Sequence, residues 1–369
     1  MAQYADVIVV GAGIIGVACA WRLASVGLRV TVFDRHAPGS GASQAALGVL
    51  GFHARPKMPA AFDDLCQRSK QFYPAIVDEL RDFVGQAPDY RPCGQLSVAV
   101  NENDLVDLEE DYSANVTLGV PVERPTLEEC QLLVPGLNQQ VCGAFFLPDD
   151  AWVDNTALTL SIARAAERAG AKFERGEVQA VVTESCQVTG VRVAGELRLA
   201  GWVVIAAGCW SEQISDLPPL PVQPVRGQAL MVAGQPFRRI VMSPRGYLVP
   251  KGNGQTMIGA TVERVGFDEA NTLGGLNQIV DVGLEIAPGL RDNEFLGAWA
   301  GLRPGTPDNL PFIGPFGELP NLIAATGHFR NGILLAPITA ALVRAAITGE
   351  MSPADPEPFS PDRTIARES

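Results

Sequence analysis

Asp6 to Arg35 reads DVIVVGAGIIGVACAWRLASVGLRVTVFDR, and this stretch decides the fold class. Asp6 to Val10 is a short β-branched run ending at Gly11, Ile14 to Val26 carries helical spacing, and Arg29 to Phe33 is a second strand-like run. Together they make a βαβ unit of about thirty residues. Within it Gly11-Ala12-Gly13-Ile14-Ile15-Gly16 falls between strand and helix, the context in which G-x-G-x-x-G binds a dinucleotide. Gly11 makes the turn, Gly13 lets backbone N–H groups approach a pyrophosphate, and Gly16 lets helix pack on strand. The helix N-terminus then stabilises the phosphate charge. Asp34 lies 18 residues past Gly16 at the end of the second strand, where its carboxylate accepts hydrogen bonds from ribose hydroxyls. The competing reading is that these glycines only pack the unit. By itself the fingerprint does not separate NAD from FAD.

Downstream, Gly39 to Gly48 (GSGASQAALG) places small residues soon after the second strand, where a flavin mononucleotide half lies against backbone; taken alone it also reads as a plain loop. Ala60 to Val84 turns helical, and Gly94 to Val100 alternates like a half-buried strand. The acidic run Asn103 to Asp111 reads as a solvated helix. Asn155 to Ala169 has Asn in N-cap position and Gly170 just after it, the punctuation of a helix. Val178 to Thr183, Val188 to Ala194 and Glu196 to Leu199 read as a small antiparallel meander, and Trp202 to Ala207 as a strand buried on both faces that rejoins the first sheet. Pro218 to Pro224 holds four of the chain's 28 prolines and marks the clearest boundary. Beyond it, strand-like runs at Gln228 to Val232, Tyr247 to Pro250 and Thr256 to Gly259 continue to Trp299, and Leu322 to Ala325 leads into a helix from Ile333 to Ile347.

Composition closes several alternatives. With 28 Lys+Arg against 41 Asp+Glu, the net charge of −13 argues against a broad basic surface for nucleic acid. Seven Cys without a C-x-x-C give neither a disulfide framework nor a zinc site, so a reducing, cytoplasmic compartment and no bound metal are expected. Val7 to Trp21 lacks a basic segment before it and is broken by glycines, which argues against a signal peptide, and no membrane attachment is expected.

Taken in order, GAGIIG with VFDR, GASQAALG, IAAGCWS, PVRGQ, GYLVP, AGLRPGTPD and GHFRNGILLAP resemble the D-amino acid oxidase superfamily of FAD-dependent oxidoreductases, most closely its glycine oxidase branch, from Asp6 to about Thr348. The resemblance implies an α/β fold: a Rossmann-like FAD-binding domain with a three-stranded meander crossover, plus a substrate domain whose mixed or antiparallel sheet covers the flavin. The expected division gives 1–60, 148–222 and 317–369 to FAD, and 61–147 and 223–316 to substrate. It places Gly11, Gly13, Ile14, Ile15, Gly16, Asp34, Arg35, Ala42, Ser43, Ala46, Leu47, Gly48, Val178, Ala207, Gly208 and Trp210 beside the cofactor. His328, Arg330, Asn331, Gly332 and Ile333 open the last helix, whose N-terminal donors would face the flavin pyrimidine and stabilise negative charge there. His328 itself reads as structural rather than as a base.

Arg303 matches the family arginine that grips a substrate carboxylate, a task for which the guanidinium fork is suited because it binds bidentately and stays charged when buried. Tyr247 matches the tyrosine that joins this clamp, and Arg330 an arginine near the substrate. One departure is Val262, where the family carries a Met over the substrate side-chain position; Arg245 has no family assignment, and both leave the size of the accepted substrate open. Related sarcosine oxidases bond flavin to a Cys before their TPD segment, and Trp299 to Thr306 contains none, so FAD is expected to be non-covalent. The activity implied is oxidative deamination of glycine, sarcosine or small D-amino acids by hydride transfer to flavin N5. Dioxygen would be reduced to hydrogen peroxide, with glyoxylate and ammonia released, in thiazole synthesis for thiamine, by a homotetramer. The alternatives are a dehydrogenase of the same fold that uses another acceptor, and a non-catalytic nucleotide-binding protein.

Overall fold

The computed structural model describes residues 4–51 and 58–365; the parts of the expected cofactor segments at 1–3, 52–57 and 366–369 lie outside it. Eight helices are seen among the described residues: α1 (Ile14–Ala24), α2 (Ala42–Ala45), α3 (Ala60–Val84), α4 (Glu102–Thr117), α5 (Leu127–Leu133), α6 (Asn155–Arg168), α7 (Leu273–Ile286) and α8 (Gly332–Thr348).

Ala5–Val10 pairs in parallel with Val30–Asp34 on one side and with Glu196–Ile205 on the other, as a βαβ unit feeding a parallel sheet requires. Lys172–Arg175 extends the first edge in parallel, while Leu322–Thr326 and then antiparallel Phe312–Pro315 complete the other. The expected meander is present, but its third strand does not stop: Glu196–Ile205 is one ten-residue strand that pairs antiparallel with Gln187–Val193 and then runs on into the parallel sheet. A second, seven-stranded sheet runs in the order Phe295–Gly305, Gln223–Ala233, Gln255–Gly259, Gly246–Pro250, Ile240–Ser243, Gln95–Ala99, Gly143–Leu147. Its pairs are antiparallel except Ile240–Ser243 with Gln95–Ala99. All five residues of Gln95–Ala99 are buried, so the half-exposed strand expected there is corrected: apolar clusters cover both faces.

Two expected boundaries do not follow the packing. Helix α3, expected in the substrate domain, buries Phe62, Leu65, Tyr73, Ile76 and Leu80 in the same core as α1, α6 and α8. Likewise Phe312–Pro315 pairs with Leu322–Thr326 and belongs to the first sheet. Sequence composition cannot show this, because what decides it is which face each element buries.

The α3–α8 contact answers a local demand. Pro337 inside α8 has no N–H, which frees the carbonyl of Ile333 from its helical partner. The Tyr73 hydroxyl donates to that carbonyl, and Ser69 Oγ donates to Leu334 O at 2.6 Å while accepting from Ile338 N at 3.4 Å. A buried helix break is thus satisfied from its neighbour. By length and composition Phe329–Thr348 could cross a membrane, yet ten residues of α8 are buried, eight of them in the core shared with α1 and α3.

Candidate active site

A cavity of about 440 Å³ opens between the two sheets and runs from the N-terminus of α1 to that of α8. Gly11 has φ +104°, and a Cβ there would overlap the carbonyl of Ala206; a Cβ on Gly16 would overlap Gly11 O. Those two glycines shape the turn and the helix-on-strand contact. Gly13 has an ordinary φ of −67°, but a Cβ would come within 3.3 Å of Ser43 Oγ at the cavity wall. Ser43 Oγ accepts from Ile14 N at 2.9 Å, so its hydroxyl caps the start of α1 and keeps its own proton for a ligand. This glycine-walled N-terminus fits the pyrophosphate of FAD. Asp34 faces the cavity with each carboxylate oxygen fixed by one backbone donor, Ala12 N and His36 N, both at 2.7 Å. Arg35 stacks over the Trp210 ring at 4.3 Å on the same side, and Val178, Ala207 and Gly208 line the wall there.

Leu47 and Gly48 carry the second half of the cradle. Gly48 adopts φ +78°, and a Cβ would overlap Val153 O. The carbonyls of this segment are held by three side chains from elsewhere in the chain, none of which was expected at the site. Asn155 Nδ2 donates to Ser43 O at 2.8 Å, Trp299 Nε1 to Ala45 O at 2.9 Å, and Lys251 Nζ to Leu47 O at 2.7 Å. Burial pulls the Lys251 ammonium down to about 8, opposed by the charges of Asp154 and Asp89, and its Nζ lies 4.9 Å from the centre of the Trp152 ring. Asn155 is therefore not the helix cap: Asp154 accepts from Ala157 N at 2.9 Å in that role, and Asn155 is free to reach the loop. No sequence signal marks these three residues for this role, since each acts on carbonyls far away in the chain.

At the opposite end Arg303, on Phe295–Gly305, and Tyr247, on Gly246–Pro250, face the cavity from strands of the second sheet that are separated by two others, with Ala42, Ala46 and the α8 residues Gly332 and Ile333 also lining it. Gly227 leaves room for the guanidinium; a Cβ there would overlap it. Arg303 NH1 donates to Thr261 O at 2.9 Å and Arg226 O at 3.4 Å. Desolvation lowers the Arg303 pKa, opposed by the Tyr247 hydroxyl and by Glu263, which favour the charged form. His328 is 3% exposed and its Nε2 is 2.9 Å from Thr339 Oγ1; burial lowers its pKa to about 3, so it stays neutral. Arg330 lies at the exposed rim of the cavity.

Three expected site residues do not line it. Gly16 is under the turn, for the packing reason given above. Asn331 is the α8 N-cap residue with its N–H spent on His328 O. Val262 is 57% exposed and outside the cavity wall, because the chain turns outward after Thr261. Arg245 likewise does not size the cavity: it pairs with Asp104 of α4 at 3.3 Å and Glu285 of α7 at 2.5 Å. Cys209 lines the wall, but burial pushes its thiol up to about 12, leaving it protonated and a poor nucleophile. No group of three or more metal-ligating side chains occurs among the described residues.

Comparison with known proteins agrees with this architecture. Over 375 residues the chain is 37% identical to the bifunctional protein ThiO/ThiG of Synechocystis sp., covering 99% of this chain but 55% of that protein, so it spans about half the length of that relative. It is 34% identical to the glycine oxidase of Geobacillus kaustophilus over 98% of both chains. The crystal structure of glycine oxidase from Geobacillus kaustophilus superposes with a TM-score of 0.93 at 32% identity, covering 99% of this chain and 100% of the other. The family model for FAD dependent oxidoreductases (DAO) matches residues 6–346, and the chain belongs to that family, with FAD as its cofactor.

Proposed function

We propose that the chain is an FAD-dependent amine oxidase acting on glycine and on small amino acids and amines such as sarcosine and small D-amino acids. The observation that carries this reading is the cavity-facing pair Arg303 and Tyr247, the only such guanidinium–phenol pair among its described lining residues, placed across from the α8 N-terminus. Gly11, Gly13 and Ser43 would hold the FAD pyrophosphate, Asp34 the ribose, and the segment at Leu47 and Gly48 the flavin. FAD, when bound, supplies the acceptor for the substrate hydride and returns the electrons to dioxygen as hydrogen peroxide.

The chain's own residues act by orientation. Arg303 binds the carboxylate through a charge-assisted fork, Tyr247 adds a hydroxyl donor, and together they fix which way the α-carbon points. The described carboxylates lining the cavity, Asp34 and Glu177, are both at the adenosine end. His328 is held by Thr339. Catalysis by positioning, without a side-chain base, follows from that distribution. The imine product then hydrolyses in water to glyoxylate and ammonia for glycine. Likeness to a ThiO/ThiG relative supports a role in making the thiazole of thiamine. Seven free cysteines support a reducing, cytoplasmic setting, FAD is held non-covalently, and a homotetramer is the assembly the family resemblance supports.

Anaerobic addition of glycine to the purified yellow protein should bleach the flavin band, and air should restore it with one peroxide formed per glyoxylate. No bleaching with glycine, sarcosine or D-alanine would remove the reading. Bleaching without recovery in air would assign the electrons to another acceptor.

A further inference from the structure

Behind Arg303, on the side away from the cavity, lies a charged lattice that the proposed reaction does not use. Arg226 is 3% exposed and pairs through NH2 with Glu263 Oε2 at 2.5 Å and through NH1 with Asp268 Oδ2 at 2.6 Å. The other oxygen of Glu263 accepts from Gln228 Nε2 at 2.7 Å and from Thr261 Oγ1 at 2.5 Å. Thr261 Oγ1 in turn accepts from Gln228 N at 2.9 Å, and Gln228 Oε1 accepts from Thr272 N at 2.8 Å at the start of α7. Backbone bonds in both directions join Arg226 and Glu263, at 2.8 and 2.9 Å.

Both carbonyls that hold Arg303 NH1, those of Thr261 and Arg226, belong to residues this lattice locks. Its formal charges, Arg226 and Arg303 against Glu263 and Asp268, sum to zero, so the buried guanidinium is balanced before a carboxylate arrives. Glu263 is the centre: burial works to raise its carboxyl, but the bonds from Thr261, Arg226 and Gln228 outweigh it and hold it below the usual range. Asp268 is the outer anchor, 53% exposed at its side chain and correspondingly screened.

The geometry points to Glu263 as a positioning residue for carboxylate recognition, acting with Arg226 and Asp268 to fix the carbonyl seat on which Arg303 is aimed. This rests on the reading of Arg303 as the carboxylate clamp. Acetate is a sufficient probe, because it carries the carboxylate without an oxidisable amine. Its binding is followed as a perturbation of the flavin spectrum in the holoenzyme. In Glu263→Gln the acetate Kd and the glycine KM should both rise about tenfold with kcat within about twofold, since a misaimed charge-assisted contact weakens ground-state and transition-state binding alike. Glu263→Asp should recover part of the loss by restoring the charge. Asp268→Asn, on the exposed end, should move the acetate Kd in the same direction by about two- to threefold.

Acetate Kd and glycine KM within about twofold of wild type in Glu263→Gln, even with a lowered melting temperature, would overturn the assignment and leave the lattice a stabilising one. Should Glu263→Gln fail to fold, Asp268→Asn decides, and an unchanged acetate Kd there overturns it. Loss of the parent reading looks different: wild type would then fail to bind acetate, or Arg303→Ala would bind it as well as wild type.

Discussion

At the α1 end of the cavity, the phosphate seat is made of backbone at Gly11 to Ile15 and the Ser43 hydroxyl, with the Asp34 carboxylate beside it, all from the first 43 positions of the chain. At the Arg303 end the groups are side chains more than fifty positions apart in the chain, Tyr247 on Gly246–Pro250 and Arg303 on Phe295–Gly305. A backbone cradle works because side chains are absent, so a single added Cβ closes it. A side-chain clamp works through groups that can be shortened or exchanged, and its losses come in grades.

The sharpest way to break this contrast is Gly13→Val. Its Cβ would enter at 3.3 Å from Ser43 Oγ, against the space a pyrophosphate needs, while φ at −67° suits any residue. The expected product is folded protein with almost no FAD, read from the ratio of flavin to protein absorbance. Full occupancy would reduce the motif to packing.

Arg303→Ala comes next. FAD content should be retained while kcat/KM for glycine falls at least about a hundredfold, since removing one partner of a buried charge pair costs on the order of 3–5 kcal/mol. Arg303→Lys should recover only part, because an ammonium lacks the fork. Glycine turnover near wild type in the Ala variant would take this residue out of the site.

His328 lines the cavity just before α8, and pH probes it. Its folded pKa is about 3 against 6.5 when unfolded, so between those values the unfolded chain binds the extra proton. Stability is therefore unaffected by this group above pH 6.5 and is lost progressively as pH falls through that window, by several kcal/mol at most. Urea midpoints should drop less steeply with acid in His328→Asn than in wild type. Parallel pH profiles would mean that the imidazole is not the buried neutral group described.

The smallest effect is expected at Val262. More than half exposed and off the cavity wall, it should tolerate Met with glycine KM and kcat changed less than about threefold. A larger change would bring this position back to the substrate end.

Much of the cofactor end was legible beforehand because its elements are local: the strand, Gly11, Gly13 and Gly16, the helix and Asp34 follow one another within one βαβ unit. Arg303 and Tyr247 entered through motif resemblance rather than from spacing, and the structure places both on the cavity wall. The sequence pattern reads Asn155 as a helix cap and assigns no role to Trp299 or Lys251, since each donates to a carbonyl between Ser43 and Leu47, more than a hundred positions away. Nor could composition show that α3 belongs with α8, a pairing set by the apolar face that α3 buries in the shared core and completed by the Tyr73 hydroxyl at the carbonyl that Pro337 leaves free.

The βαβ unit, the dinucleotide cradle, the meander and the last helix were readable from residue pattern alone, because periodicity, glycine placement and caps act over a few residues. Which strands share a sheet, which residues support the cradle, and that Val262 and Arg245 lie off the cavity while Glu263 supports the seat of Arg303 emerge only once the chain is folded. Those outcomes depend on burial and on pairing buried charges and carbonyls across long stretches of chain, which no local pattern encodes.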